Sequence, residues 1–315
     1  MKLYMAPMEG PTGYVFRNAF NEVFGGIDRY FTPFVTGLNL GDKEKRDICP
    51  KNNAGMDVVT QILTRRTDEF LSVANFIHDE YGYERININL GCPSGTVVSR
   101  NRGAGFLAIP DELDRFLYEI FEKSPIKISL KTRIGVESTD EWDRLLSIYE
   151  KYPLDELIIH PRLRTDFYKN EIKTETFKKA CEISKHSLCY NGDINTTEDF
   201  KRVTDEFTNI DAVMIGRGLL KNPFLIEEIR HSVDESAPLT PPDERDKKVK
   251  DFLRLLEKNY LASMPGGEKN TLAKLKELWV YLGEGRTDFK RALKEIKKAR
   301  YLDEYHAAMS TVVIR

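Results

Sequence analysis

Eight short apolar, β-branched segments recur along the chain, at 3–5, 30–34, 58–62, 85–90, 126–131, 156–160, 187–191 and 212–215. Most of their starts lie roughly 25–40 residues apart, the room a strand, a helix and two loops need. The helical patterns between them are well formed. In 111–123, Leu113, Phe116, Leu117, Ile120 and Phe121 make one apolar stripe behind Pro110 and Asp111. In 139–151, Trp142, Leu145, Leu146 and Tyr149 do the same, with Thr139 as cap. In 196–207, Thr196 and Asp199 have the spacing of a capping box ahead of Phe200, Val203 and Phe207. Eight such units over about 240 residues match a (β/α)8 TIM barrel. A doubly wound sheet is the competing α/β arrangement, but no GxGxxG follows the first strand and most strands would be surplus.

The pattern changes past 232–243, SVDESAPLTPPD, which carries three prolines and three acidic residues and reads as a linker. Helical patterns follow near 243–262, 268–282 and 286–309, separated by Pro265-Gly266-Gly267 and Gly283-Glu284-Gly285. The expected organisation is a barrel over 1–235 and a small all-α domain over 236–315. Charge divides along the same line. Residues 243–315 hold 17 Lys+Arg against 12 Asp+Glu, a net of +5, which leaves 31 against 38, a net of -7, for residues 1–242. In 286–300, seven basic residues face two acidic ones around Phe289, Leu293 and Ile296. A basic amphipathic helix of this kind suits a partner helix, a membrane surface or nucleic acid.

With 41% hydrophobic and 31% charged residues the chain is neither disordered nor a small disulfide scaffold. No apolar run approaches the roughly 18 residues of a membrane helix, and Pro7 comes too early for a secretory signal. Cys49, Cys92, Cys181 and Cys189 form no CxxC pair, so neither a metal site nor a disulfide framework is expected. A cytoplasmic, monomeric protein fits these features.

In such a barrel, active residues follow the carboxyl ends of the strands. Those positions read Ala6-Pro7-Met8-Glu9-Gly10, Gln61, Asn89-Leu90-Gly91-Cys92-Pro93, Lys131-Thr132-Arg133, His160-Pro161-Arg162, Asn191-Gly192-Asp193 and Gly216-Arg217-Gly218. The last two are glycine turns of the kind that let backbone N–H groups approach a phosphate, with Arg217 adding charge. Gln61, Asn89, Lys131 and His160 project over the mouth, where His160 is either a ligand-facing donor or a satisfied core histidine. Cys49, Cys181 and Cys189 read as small buried hydrophobes. Cys92, in a turn after a buried strand, is different. A thiol with the ordinary pKa of about 8.5 is mostly protonated at neutral pH and serves as proton donor or nucleophile.

Taken together, Ala6-Pro7-Met8-Glu9-Gly10, Asn89-Leu90-Gly91-Cys92-Pro93, Lys131-Thr132-Arg133, Asn191-Gly192-Asp193 and Gly216-Arg217 resemble the motifs of the tRNA-dihydrouridine synthases. The order and spacing cover about 1–230, and a basic helical domain is also typical of that family. The resemblance implies an FMN enzyme that takes hydride from NADPH and reduces the C5=C6 bond of uridines in tRNA. It implies that Pro7, Met8, Glu9, Gln61, Lys131, His160, Asn191, Gly192, Asp193, Gly216 and Arg217 hold FMN. It further implies Cys92 as proton donor to C5, and Asn89 and Arg133 as ligands of the uracil or nearby tRNA. Lys274, Lys276, Lys290, Arg291, Lys294, Lys297 and Lys298 become candidate phosphate contacts. One departure is Pro161, where relatives often carry glycine; it removes a backbone donor from that loop. Two other readings remain at this level: a flavin barrel acting on free pyrimidines, and a tRNA-binding protein without redox activity.

Overall fold

The computed structural model of the chain describes residues 1–37, 39–284 and 290–312. Eight strands form the expected closed parallel barrel: β1 (Lys2–Met5), β2 (Arg29–Phe31), β3 (Val58–Ile62), β4 (Arg85–Leu90), β5 (Lys127–Gly135), β6 (Glu156–Leu163), β7 (Leu188–Tyr190) and β8 (Ala212–Ile215). Each pairs with the next, and β8 closes on β1 from Lys2↔Ala212 to Met5↔Ile215. Helices alternate with the strands, including Thr67–Asp79, Pro110–Lys123, Glu141–Tyr149 and Thr174–Ile183.

β5 and β6 run further than their apolar runs suggest. Lys131-Thr132-Arg133 and His160-Pro161-Arg162 therefore lie inside strands and not after them. Pro161 is tolerated because the ladder is broken there: Arg133 pairs with His160, but Gly135 pairs with Leu163, so β6 carries one extra residue. A bulge of this kind is where proline is admitted to a central strand.

Side chains alternate along each strand, so every second residue points into the barrel. Tyr4, Phe31, Val59, Ile158, Cys189, Ala212 and Met214 form an apolar cluster of buried residues. Polar residues share the interior. Tyr4 donates its hydroxyl to Glu156 Oε1 at 2.8 Å, and Arg29 lies over the Tyr4 ring while bonding Asp57 at 2.8 Å. Glu156 Oε2 accepts no hydrogen bond and stands 4.0 Å from Arg29.

Packing divides the described chain into two compact units. The first holds all eight strands, in Met1–Pro7, Asp28–Asp193 and Lys201–Ile215. The second gathers Met8–Ile27, Ile194–Phe200 and the chain from Gly216 onward. Within the second unit, Phe16 and Phe20 of the helix Tyr14–Val23 meet Phe252 of the helix Pro242–Ser263 edge-on, at 5.7 and 6.3 Å. Thr196 and Asp199 do form the expected capping box, each side chain accepting the other's backbone N–H. The expected linker is shorter than the sequence suggests, because helices Leu225–Val233 and Pro242–Ser263 take both its ends. The helical pattern over 286–309 resolves, where described, into Lys290–Lys298 and Leu302–Ser310. The break falls where the Glu304 carboxylate, in the first turn of the second helix, accepts the Arg300 N–H at 2.6 Å. Phe289 lies outside the described residues. No described helix is long and apolar enough to cross a membrane.

Burial pushes the Glu156 carboxyl up to about 7, against the opposing pull of Tyr4 and Arg29. The unfolded chain ionises this group from about 4.5, whereas the folded chain keeps it protonated, so its contribution to stability falls as pH rises through 4.5–7. Glu156→Gln keeps the hydrogen bond and removes the titration. The variant is expected to gain stability over the parent progressively between pH 5 and about 7.5, then hold a constant difference, in denaturant midpoints measured across that range.

Candidate active site

β4 reads Arg-Ile-Asn-Ile-Asn-Leu, so Ile86, Ile88 and Leu90 share one face and Asn87 and Asn89 the other. The Asn89 Oδ1 accepts the N–H groups of Gly91 and Cys92 at 3.1 and 2.9 Å, which shapes the turn that carries Cys92. Asn89 Nδ2 donates to Gln61 Oε1 on β3 at 2.8 Å, so two predicted site residues are in direct contact. The Cys92 turn is closed from the other side by Gly103, whose N-terminal neighbours lead into the 3-10 segment Gly103–Ala108. Gly103 has φ +55, and a Cβ there would lie 2.9 Å from the Cys92 carbonyl oxygen, so only glycine fits. Cys92 itself is half-buried.

Lys131 and Asn191 form a second pair, with Nζ donating to Asn191 Oδ1 at 2.6 Å. Asn191 is oriented for this by donating Nδ2 to the Met214 carbonyl at 2.8 Å. That amide is the only hydrogen-bond partner of the Lys131 ammonium among the described residues, and no carboxylate pairs with it. Burial pulls the ammonium down to about 8, and the neighbouring Arg133 adds to this, while the Cys189 and Cys92 thiols oppose it. A half-buried cation without an anion is a place where a negatively charged group would be stabilised.

A third cluster surrounds β6. Arg162 is buried and bonds three groups: Asn170 O, the Asp193 carboxylate, and His160 Nε2 at 3.2 Å. A guanidinium only donates, so Nε2 accepts and the ring proton of His160 sits on Nδ1. The His160 ring lies 6.2 Å from the exposed Tyr168, the two stacked. Arg133, fully buried, donates to three backbone carbonyls: Gly91 at 2.9 Å, Leu163 at 2.7 Å and Phe167 at 2.7 Å. It thus ties the Cys92 turn to the loop after β6. Phe167 has φ +49, a conformation that side chains seldom adopt, and Arg133 grips its carbonyl.

The remaining predicted residues are less closely tied to these clusters. Pro7 follows β1 in the barrel unit, whereas Met8, Glu9, Gly216 and Arg217 belong to the second unit. There the turn after Met8 is closed by Thr12, which bonds the Met8 N–H and carbonyl, and Arg17 bonds the Thr12 carbonyl in turn. Lys274 Nζ reaches the Gly10 carbonyl at 3.0 Å and pairs with Glu277. Gly192 lacks a side chain for a local reason, since a Cβ would lie 2.9 Å from Ile172 and 3.0 Å from the Tyr190 hydroxyl. The carboxylate of Asp193 is held by Arg162. Two of the lysines read as phosphate contacts turn inward: Lys274 as described, and Lys276 onto the Ala299 carbonyl.

Sequence reasoning passed over Asn87, Ser129 and Tyr168. Asn87 was visible as a polar residue inside a buried parallel strand, where an apolar run is the rule. Tyr168 had no signal beyond its loop.

A family model for dihydrouridine synthase matches residues 4–311. The chain belongs to the dihydrouridine synthase family. It is 29% identical over 255 residues to tRNA-dihydrouridine synthase B of Pasteurella multocida, covering 78% of this chain and 74% of that one. A probable tRNA-dihydrouridine synthase of Staphylococcus aureus is 28% identical and aligns over 97% of this chain and 93% of its own. Among solved structures, morphinone reductase shares the barrel at a TM-score of 0.52 and 13% identity, over 78% of this chain and 88% of that one. As a dihydrouridine synthase, the chain is an enzyme whose Cys92 turn, Lys131 and His160 stand on one barrel.

Replacing Arg133 by Lys in this dihydrouridine synthase keeps the charge but loses the planar fork. At least one of the three carbonyl bonds is expected to go, at about 1.5–3 kcal/mol in urea unfolding. Limited proteolysis within 163–170 should be faster than in the parent.

Proposed function

We propose that this dihydrouridine synthase reduces the C5=C6 bond of uridines in tRNA, with FMN as bound cofactor, NADPH as reductant and the cytoplasm as its place of action. The observation that carries the reading is Lys131, a half-buried, desolvated cation whose ammonium is paired with an amide and no carboxylate, on the same barrel as the Cys92 turn. When bound, the flavin supplies the hydride. Lys131 offers charge to the part of the isoalloxazine ring that becomes anionic on reduction, and its pKa rises again beside that charge. Gln61 adds an amide group, His160 adds an Nδ1–H, and Pro7, Met8, Glu9, Asn191, Gly192, Asp193, Gly216 and Arg217 complete the proposed cofactor set, while Asn89 serves the uracil. Asn191 orients Lys131, and Asp193 acts through Arg162.

Hydride addition at C6 of uracil builds enolate charge, because the double bond is conjugated to the C4 carbonyl. An acid is then needed at C5, and the Cys92 thiol provides that proton. Arg133, with its donors on Gly91, Leu163 and Phe167, serves the substrate by holding the loops. The target base has to leave the folded tRNA, at a cost of a few kcal/mol of unstacking. Exposed Lys290, Arg291, Lys294, Lys297 and Lys298, on a helix whose Ala292 and Ile296 are buried, are the proposed phosphate contacts that offset it. The helical segment 236–315 is thereby a tRNA-binding domain, and the protein acts as a monomer.

The test begins with the visible spectrum of the purified protein, where bands near ~370 and ~450 nm are expected for oxidised flavin. Dihydrouridine formation in tRNA is then assayed with NADPH. Cys92→Ala should abolish turnover while flavin content and tRNA affinity stay unchanged. Lys131→Met should weaken FMN binding by about 10- to 100-fold, yet leave the flavin-free protein about as stable at pH 7, because a partly desolvated charge without a counter-charge is removed. Unchanged turnover in Cys92→Ala would remove the thiol from the mechanism.

A further inference from the structure

The amides beneath Cys92 form a ladder with a single direction. Asn89 Nδ2 donates to Gln61 Oε1, Gln61 Nε2 donates to Asn87 Oδ1, and Asn87 Nδ2 donates to Ser129 Oγ, at 2.8, 2.8 and 2.9 Å. Ser129 Oγ donates in turn to the Ile86 carbonyl at 3.3 Å. Backbone groups fix the top end, where the N–H groups of Gly91 and Cys92 require an acceptor, so the Asn89 oxygen must face them and each amide below follows in turn. No amide in the ladder can be turned round without setting donor against donor, so the oxygen and nitrogen of each are assigned by the network.

This order decides what Asn89 can offer a ligand. Both lone pairs of Oδ1 are taken by backbone N–H groups, and one Nδ2 hydrogen is given to Gln61. What remains is a single N–H. Among the three amides only Asn89 keeps any solvent exposure; Gln61 and Asn87 have none. Asn89 is therefore a donor and never an acceptor, a group that reads a carbonyl oxygen.

We propose that Asn87 and Ser129 are positioning residues which, through Gln61, lock Asn89 as an N–H donor to a carbonyl oxygen of the pyrimidine being reduced. Both lie a layer deeper in the barrel than Asn89, Asn87 by two residues along β4 and Ser129 beside it on β5. The proposal rests on the functional reading above for its substrate, but the ladder itself is independent of that reading. With the ladder broken, Gln61 rotates freely, Asn89 loses its fixed partner, and its N–H no longer points reliably at the base.

The experiment uses the full-length, flavin-loaded protein with asparagine labelled by 15N. In the parent, the two Asn89 side-chain protons are expected as distinct signals, one of them slow to exchange with solvent. In Asn87→Leu these signals should broaden and exchange faster, kcat on uridine-containing tRNA should fall about tenfold, and KM for tRNA should stay within about twofold. Asn87→Asp should restore kcat to within about threefold, since its carboxylate accepts from Gln61 and the Ser129 hydroxyl can turn to donate to it. Ser129→Ala, which removes only the foot of the ladder and folds with less disturbance, should show the same changes at about threefold. Unaltered Asn89 signals in both Asn87→Leu and Ser129→Ala, an effect confined to KM, or an Asn87→Asp as impaired as Asn87→Leu would each overturn the proposal. A parent enzyme that makes no dihydrouridine would defeat the functional reading, while the Asn89 signals would still decide the ladder.

Discussion

A polar side chain inside a closed parallel barrel has no water to bond, so it must find its partner on a neighbouring strand. That obligation shapes the interior of this protein more than any single apolar contact does. Asn89, Gln61, Asn87 and Ser129 satisfy one another across β3, β4 and β5, and Lys131 and Asn191 do so between β5 and the turn after β7. Tyr4 and Glu156 Oε1 meet the same demand elsewhere in the interior, whereas Glu156 Oε2 is left with only Arg29 at 4.0 Å. The apolar cluster fills the volume; these bonds set the orientation of Gln61, Asn89, Lys131 and Asn191.

The same accounting separates groups that touch a ligand from groups that hold the frame. Arg133 has three of its donors on backbone carbonyls and is buried among them, so its charge serves the loops that flank Cys92. Lys131 is the reverse case: its environment is costly for a cation and supplies no carboxylate to relieve it. A frame that stabilised Lys131 fully would leave it nothing to offer a developing anion. Such local cost at a functional position is the usual relation between stability and activity.

The second unit shows how a basic composition is apportioned. Lys274 and Lys276 bond backbone carbonyls, and Lys274 holds the turn that follows Met8. The lysines and arginine of the helix Lys290–Lys298 stay exposed, with Ala292 and Ile296 buried on its other face. Net charge alone could not tell these two groups apart, since position on a helix face is what turns one lysine inward and its neighbour out.

What the sequence determined by itself was the alternation of strands and helices, the closed barrel that follows from it, and the family to which the motifs belong. Strands β3, β4 and β8 were legible to the residue because apolar periodicity and flanking turns both mark them. The ends of β5 and β6 were not, because pairing across the bulge carries polar Arg133 and Arg162 and even Pro161 into the sheet. Likewise, Gln61, Asn89 and Cys92 were visible as reactive types on one rim, and Asn191 as part of a glycine turn. Their partners were decided only by the tertiary structure. A hydrogen bond between Gln61 and Asn89, or between Lys131 and Asn191, joins residues 28 and 60 positions apart. Local propensity carries no record of such pairs; the shear and register of the barrel bring them within reach.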